Sequence, residues 1–299
     1  MRREPWLGKV ILCGALVAAT SAVLAAQPVR FTSFDIAGAT NYFVPGINDK
    51  GTVVGSWAPL GGPPPDVGFI RSPGGNITTP VLDPNDSDSF TILRAINNRG
   101  IIAGFYGLNV THGFLLFDGL FVPVNFPGAL DTTLRGINNH GDLAGTYDTA
   151  PNGDQIGFII PRQGVAITFG PPPGGSGLVV GKINDRQQVV GYYTATNGSL
   201  TGFLREPNGR LVDIVVPGAA NTLAYGINDC GIILGFWTDG TAHGFYGRPG
   251  SLHSFDLPGA GATFAQGINN QGRVVGRYAG GGAQHGFVTE PIPGAVCDD

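Results

Sequence analysis

One twelve-residue phrase occurs six times in this chain, and only a radial or stacked repeat architecture absorbs that kind of regularity. It runs from Gly46 to Trp57 as Gly-Ile-Asn-Asp-Lys-Gly-Thr-Val-Val-Gly-Ser-Trp, and returns at 95–106, 136–147, 182–193, 226–237 and 267–278. Its key asparagines are Asn48, Asn97, Asn138, Asn184, Asn228 and Asn269, spaced by 49, 41, 46, 44 and 41 residues. A Gly-Phe step follows each: Gly68-Phe69, Gly113-Phe114, Gly157-Phe158, Gly202-Phe203, Gly244-Phe245 and Gly286-Phe287. Most units then carry Pro-Gly-Ala, as at Pro127-Gly128-Ala129, Pro217-Gly218-Ala219 and Pro258-Gly259-Ala260.

Within a unit the texture is that of short strands separated by turns. In the third, 133–137, 142–147, 156–160 and 165–169 read as four strands, with Asn138-Asn139-His140-Gly141 as a hairpin turn. Asn and Asp side chains bond the local backbone there, and Gly accepts the left-handed conformation that ends the turn. No window shows helical periodicity. Four strands in each of six units predict an all-β, six-bladed β-propeller with four-stranded blades. A stacked solenoid would need distinct polar caps. Here the ends look complementary instead: Phe31 to Gly38 (FTSFDIAG) matches Leu252 to Gly259 (LHSFDLPG), the fourth-strand region of unit five, and the last unit lacks room for its own fourth strand. The N-terminal strand is therefore expected to complete the last blade and close the ring.

Composition supports a folded chain that is poor in charged residues. Of 299 residues 50 are Gly and 23 Pro, yet 42% are hydrophobic and only 13% charged. Residues 1–26 stand apart: Arg2, Arg3 and Lys9 precede an apolar run, Val10 to Ala26, that ends in small residues. This reads as a cleaved signal peptide rather than a membrane anchor, the run being short for a bilayer. The domain is then residues 27–299, with no stable membrane span after cleavage, and its expected address is secreted, extracellular or periplasmic. Without Arg2, Arg3, Lys9 and Glu4 the totals of 17 basic and 21 acidic residues fall to 14 and 20, net −6. That balance argues against nucleic acid as a partner. Cys230 and Cys297 remain, and in an oxidising compartment they either pair or stay as unrelated thiols.

The ordered landmarks, Gly-Ile-Asn-(Asp/Asn)-x-Gly, then His-Gly-Phe, then Phe-Asp-x-Pro-Gly-Ala, resemble the probable extracellular repeats of the HAF family. That family is named for its His-(Ala/Gly)-Phe step, present here at His112-Gly113-Phe114, His243-Gly244-Phe245 and His285-Gly286-Phe287. Val67, Ile156 and Thr201 replace the histidine in the other units. The resemblance spans essentially all of 27–299. It implies bacterial secretion and tandem repetition, and no particular activity.

Candidate functional residues are few. The three repeated histidines hold equivalent third-strand positions, too far apart in a ring to share a metal, and are expected to pack or bond within their own blades. Asp83, Asp86 and Asp88 lie in an insertion with oxygens at alternate positions; Ca²⁺ is conceivable, but the loop lacks the glycine and distal glutamate of an EF-hand, and an acidic surface loop is the expectation. No nucleophile elbow, phosphate loop or Cys-x-x-Cys is present. The aromatics Trp57, Tyr106, Tyr147, Tyr193, Trp237 and Tyr278 are expected to pack between blades. One column breaks the symmetry, three residues before each key asparagine: Pro45, Arg94, Arg135, Gly181, Tyr225 and Gln266. Positions free of scaffold duty can specify a ligand, so Arg94, Arg135, Tyr225 and Gln266 are the candidate binding residues. Arg94 and Arg135, on adjacent blades, suit an anionic sugar or carboxylate.

Two functions follow. One is a secreted, non-catalytic protein with a binding or structural role toward a polysaccharide or protein, needing no cofactor. The alternative is a secreted propeller enzyme, a hydrolase or lyase acting on a polysaccharide or lactone from its axial face. Convergence of the non-repeat polar residues on one axial pocket is what the enzyme reading requires.

Overall fold

The computed structural model describes residues 28–59, 66–150 and 153–297; the expected signal peptide, 1–26, lies outside them. Among the described residues there is no helix long and apolar enough to cross a membrane. The chain forms six four-stranded antiparallel sheets, five of them built from consecutive strands. Blade one comprises Ala39–Ile47, Val53–Pro59, Val67–Arg71 and Ile77–Val81, and the next four blades repeat the order through Phe255. Blade six takes Ala262–Ile268, Val274–Gly280 and Ala283–Thr289 from the C-terminal end, and Phe31–Phe34 as its outermost strand. The expected closure is therefore present, with Phe31 opposite Thr289 and Ser33 opposite Phe287. Closure gives the last blade its fourth strand from the N-terminal segment, so that all six sheets have four strands.

The recurring motifs have local physical causes. Phe69, Phe114, Phe158, Phe203, Phe245 and Phe287 are all fully buried. Each faces a glycine on the second strand, as Phe158 faces Gly145; a Cβ at Gly145 would sit 2.7 Å from that ring. The Phe126-Pro127-Gly128-Ala129 link between blades is a type II turn, with Gly128 at φ +77° and the Ala129 N–H donating to the Phe126 carbonyl at 3.1 Å. The apolar core lies between blades: one cluster joins Ala144 and Ile159 of blade three to Leu178, Val180 and Phe203 of blade four.

The second-strand aromatics belong, as expected, to apolar clusters drawn from two neighbouring blades: Trp57 with blades six and one, Tyr193 with three and four, Trp237 with four and five, and Tyr278 with five and six. Several of these aromatics also bond within their own blade, reaching over strand three to strand four. Trp57 Nε1 donates to Thr79 Oγ1 (2.8 Å), the Tyr193 hydroxyl to Asp213 Oδ1 (3.0 Å), Trp237 Nε1 to Ser254 Oγ (2.9 Å) and the Tyr278 hydroxyl to Ser33 Oγ (3.1 Å). Their polar tips need a partner when half-buried, and the fourth strand offers one. The histidines sit beside them. The His243 ring stacks on Trp237 at 4.6 Å and His285 on Tyr278 at 5.0 Å. Their Nδ1 atoms meet Asp256 (3.0 Å) and Asp35 (2.7 Å), both from the Phe-Asp landmark.

Candidate functional site

At one end of the axis, the hairpin turns interlock in two closed rings of hydrogen bonds. Asn48 Nδ2 donates to the Asn97 carbonyl (3.2 Å), Asn97 to Asn138 (3.2 Å), Asn138 to Asn184 (3.1 Å), Asn184 to Asn228 (3.0 Å), Asn228 to Asn269 (3.4 Å) and Asn269 back to Asn48 (3.0 Å). Each Oδ1 meanwhile accepts the N–H four residues on, from Thr52, Ile101, Asp142, Gln188, Ile232 or Arg273. The position demands a side chain that donates and accepts at once, which asparagine does and aspartate does not.

The next residue has only to accept. The N–H of Asp49 donates to Asn98 Oδ1, Asn98 to Asn139, Asn139 to Asp185, Asp185 to Asp229, Asp229 to Asn270, and Asn270 to Asp49, all within 2.9 Å. Asp and Asn interchange there because their Oδ1 atoms are equivalent acceptors. The six key asparagines are thus scaffold residues that lock blade to blade. Five of them, all but Asn184, line with the six preceding isoleucines a cavity of about 50 Å³, room for a few waters.

The symmetry-breaking column lies on the other side of that cavity and has a structural identity. In each blade the innermost strand shifts register at this position: between Leu93 and Ala95, Leu134 and Gly136, Val180 and Lys182, Ala224 and Gly226, Ala265 and Gly267, and between Phe43 and Gly46. Arg94, Arg135, Gly181, Tyr225, Gln266 and Pro45 are therefore bulge residues. A bulge releases one residue from the ladder and re-aims its side chain, so the column varies without cost to the sheet.

Three of the four candidates converge. Arg94 of blade two lies 4.2 Å over the Phe43 ring of blade one, and Arg135 of blade three 5.9 Å over Phe105 of blade two. Tyr225 of blade five stacks on Phe236 at 5.5 Å and lies 5.7 Å from Tyr192 of blade four and 6.1 Å from Phe43. Blades one and five are not neighbours, so these rings meet near the axis. Arg135 Nε donates to Thr133 Oγ1 at 3.3 Å. Gln266 does not join the group: its Oε1 accepts the Val44 N–H at 2.8 Å, so that candidate is structural.

The charges at this end are not neutralised within the protein. Arg94 is 7% exposed, and its buried Nε has no hydrogen-bond partner. Among the described residues the ion pairs are confined to His243 and His285 with Asp239, Asp256 and Asp35. Burial, with Arg135 close by, pulls the Arg94 guanidinium down to about 9. Burial likewise lowers Arg135 and raises the Tyr225 hydroxyl, whose neighbour Tyr192 adds to the rise.

Lys182 is a site residue that the sequence reading passed over. It occupies the position of Gly46, Ala95, Gly136, Gly226 and Gly267 in the other units, and that substitution was the available signal. It is 6% exposed, lines the axial cavity, and its ammonium reaches 3.4 Å from the carbonyl of Pro45, in the blade opposite. Burial and then Arg94 press it down to about 8, against the pull of Asp229 and Asp49. Also missed were the residues flanking the bulges, the cross-strand pairs Phe43–Ser56, Val179–Tyr192, Leu223–Phe236 and Phe264–Arg277. They form two further variable columns, one being the x of Gly-x-(Tyr/Trp). Arg277 lies 4.4 Å over Phe264, its buried Nε also without a partner.

The remaining candidates lie elsewhere. Asp83 Oδ1 accepts from the Asn85 backbone (2.9 Å), Asp86 Oδ2 from the Thr91 hydroxyl (2.7 Å) and Asp88 Oδ2 from the Leu108 N–H (3.3 Å). Their oxygens brace the insertion, and among the described residues no group of three or more His, Cys, Asp or Glu side chains is arranged to hold a metal. Cys230 and Cys297 are joined as a disulfide, their Cα atoms 5.5 Å apart, tying the C-terminal tail to the blade-five hairpin.

Comparison with known proteins bears on the fold alone. No protein-family model matches the chain, and none of the curated proteins matches it in sequence. Among solved structures it is similar to a streptogramin B lyase, at 14% identity and a TM-score of 0.52, covering 87% of this chain and 97% of that one. A putative gluconolactonase is 12% identical with a TM-score of 0.52, over 87% and 92%. The six-bladed fungal lectin of Aleuria aurantia is 14% identical with a TM-score of 0.50, over 89% and 98%. The six-bladed propeller is shared; its neighbours' functions differ from one another.

Proposed function

We propose that this chain is a secreted, non-catalytic binding propeller whose ligand sits at the bulge-bearing end of the axis. The observation that carries this is the convergence there of Arg94, Arg135 and Tyr225, three non-repeat residues released from the ladder by bulges. Convergence is also what an enzyme needs, so the choice turns on chemistry. The side chains gathered there are guanidinium groups, the Tyr225 phenol held protonated by burial, and aromatic faces. A hydrolase or lyase needs a proton acceptor near neutral pH. The one group near this end drawn toward that range is Lys182, at about 8, and its ammonium is directed to the Pro45 carbonyl at 3.4 Å, while the converging set itself supplies positive charge and stacking surfaces. The Cys230–Cys297 disulfide and the likeness to HAF repeats support an extracytoplasmic address. That a lectin shares the fold fits a glycan partner; a lyase shares it too, so the fold does not decide. The test is a melting screen of residues 27–299 against bacterial and plant polysaccharides, with reducing-end release measured in parallel. A ligand-dependent rise of the melting temperature without product supports the proposal, and steady product release overturns it in favour of the polysaccharide- or lactone-acting enzyme.

A further inference from the structure

We infer that the ligand of this axial end is a carboxylate borne on a sugar ring, a uronate residue, held by Arg94 and Arg135 against the aromatic faces beside them. The inference rests on the binding reading above and adds the chemistry of what is bound. Its first support is a missing counter-charge. Arg94 is 7% exposed with an unpartnered buried Nε, and Arg135 stands beside it as a like charge. An uncompensated buried cation is costly to a fold, and a cation–π contact with Phe43 at 4.2 Å offsets only part of that.

The second support is the kind of donor. Planar guanidinium groups match a carboxylate in bidentate fashion. The third is the surroundings. Tyr192 lies 5.7 Å and Phe43 6.1 Å from the Tyr225 ring beside the arginines, a platform for the apolar face of a pyranose ring. A densely charged polyanion suits this end poorly. The whole chain carries a formal net charge of −4, and the opposite mouth of the axis presents Asp49, Asp185 and Asp229. Of the cations near this end, Lys182 donates to the Pro45 carbonyl and Arg277 to Asn41 and Gln284, which leaves Arg94 and Arg135 to share one carboxylate.

The experiment uses residues 27–299 with tri-galacturonate, neutral tri-galactose and inorganic sulfate, followed by melting and calorimetry. Wild type is compared with Arg94→Met and Arg135→Met. Tri-galacturonate is expected to bind and to raise the melting temperature, with tri-galactose and sulfate weaker, and each substitution is expected to weaken binding about 10- to 100-fold. Ligand-free Arg94→Met is expected to melt above wild type, because an unpaired buried charge is gone. That rise separates a binding residue from a structural one. Sulfate binding as tightly as tri-galacturonate overturns the assignment in favour of a general anion site. Tri-galactose binding that survives both substitutions leaves a binding propeller but overturns the anion. Silence toward tri-galacturonate overturns the inference, and if Arg94→Met also melts below wild type, Arg94 is structural and the binding reading falls with it.

Discussion

Replacing Asn97 by aspartate changes one NH₂ group for an oxygen and tests the interlocked turns directly. Asn97 is 3% exposed. Its Oδ1 accepts the Ile101 N–H at 3.0 Å, and its Nδ2 donates to the Asn138 carbonyl of the next blade at 3.2 Å. Aspartate retains the first bond and loses the second, setting a carboxylate oxygen against a carbonyl in a buried ring. Losing the donor alone costs about 1–3 kcal/mol, and burying the charge adds to it. A total near 3 kcal/mol lowers the melting temperature by roughly 6–12 °C for a domain of this size. The control is Asp229→Asn. There Oδ1 stays as acceptor for the Asp185 N–H. The two amides that use Oδ2, Asn139 and Asn270, retain second acceptors on Asp185 and Asp49; its cost should stay below about 1 kcal/mol. The Asn97→Asp carboxyl should titrate above the usual range, since its protonated form restores the donor. Its folded pKa being raised, the defect is smallest at low pH and grows as pH rises through that value. Thermal melts at pH 4.5 and 8 read both effects. Equal melting of Asn97→Asp and Asp229→Asn, or a defect indifferent to pH, would refute the donor-and-acceptor account.

Lys182 has its folded pKa depressed to about 8 by burial and Arg94, below an unfolded value of about 10.4. The unfolded chain binds more protons between those values, so stability contributed through Lys182 rises with pH from about 8 to about 10; the difference between wild type and Lys182→Met in denaturant midpoints should shrink across that window, and a constant difference would count against the buried ammonium. His243 has its pKa raised first by the bond to Asp256, opposed by burial and aided by Asp239. Its stabilising share is complete below the unfolded value near 6.5 and lost as pH rises through the folded one, so an NMR titration should find His243 above 6.5 and Asp256→Asn should bring it down. Cys297→Ser opens a cross-link spanning 67 residues and should cost up to about 4 kcal/mol on loop entropy, less where the tail stays held by the Asn228 amide at the Ala295 carbonyl; denaturation with and without reductant gives the value, and insensitivity to reductant would deny the bond.

Architecture was open to sequence reasoning because each blade needs the same local chemistry. Repetition counted the blades, the Asn-(Asp/Asn)-x-Gly phrase marked their turns, and the match of Phe31–Gly38 to Leu252–Gly259 located the closing strand. The binding candidates were visible only as an irregular column; that they sit on bulges is a matter of register, which no residue type announces. Gln266 looked equivalent to Tyr225 by position, and its capture by the Val44 N–H depends on a bulge in another blade. Lys182 stood in a column of small residues, legible in principle, yet its reach to Pro45 depends on which blade lies opposite. Recurrence signalled the packing of Trp57, Tyr193, Trp237 and Tyr278 between blades, but not that their polar tips reach the fourth strand of their own blade, because that depends on cross-strand register.

Closure by Phe31–Phe34 has a temporal side. The first strand of the ring to be synthesised is completed by one of the last, Ala283–Thr289. Both turn rings share that dependence, through the Asn269 bond to Asn48 and the Asn270 bond to Asp49. Five blades can assemble in sequence, each on its predecessor, while the earliest segment waits unpaired for a partner more than 240 residues away. A chain stopped within its final unit would therefore be an arc with two sticky edges rather than a smaller propeller. The same latch sets how the molecule comes apart: once blade six parts from residues 31–34, the circle is held by the direct packing of blade one on blade six and by the Asn269–Asn48 and Asn270–Asp49 bonds.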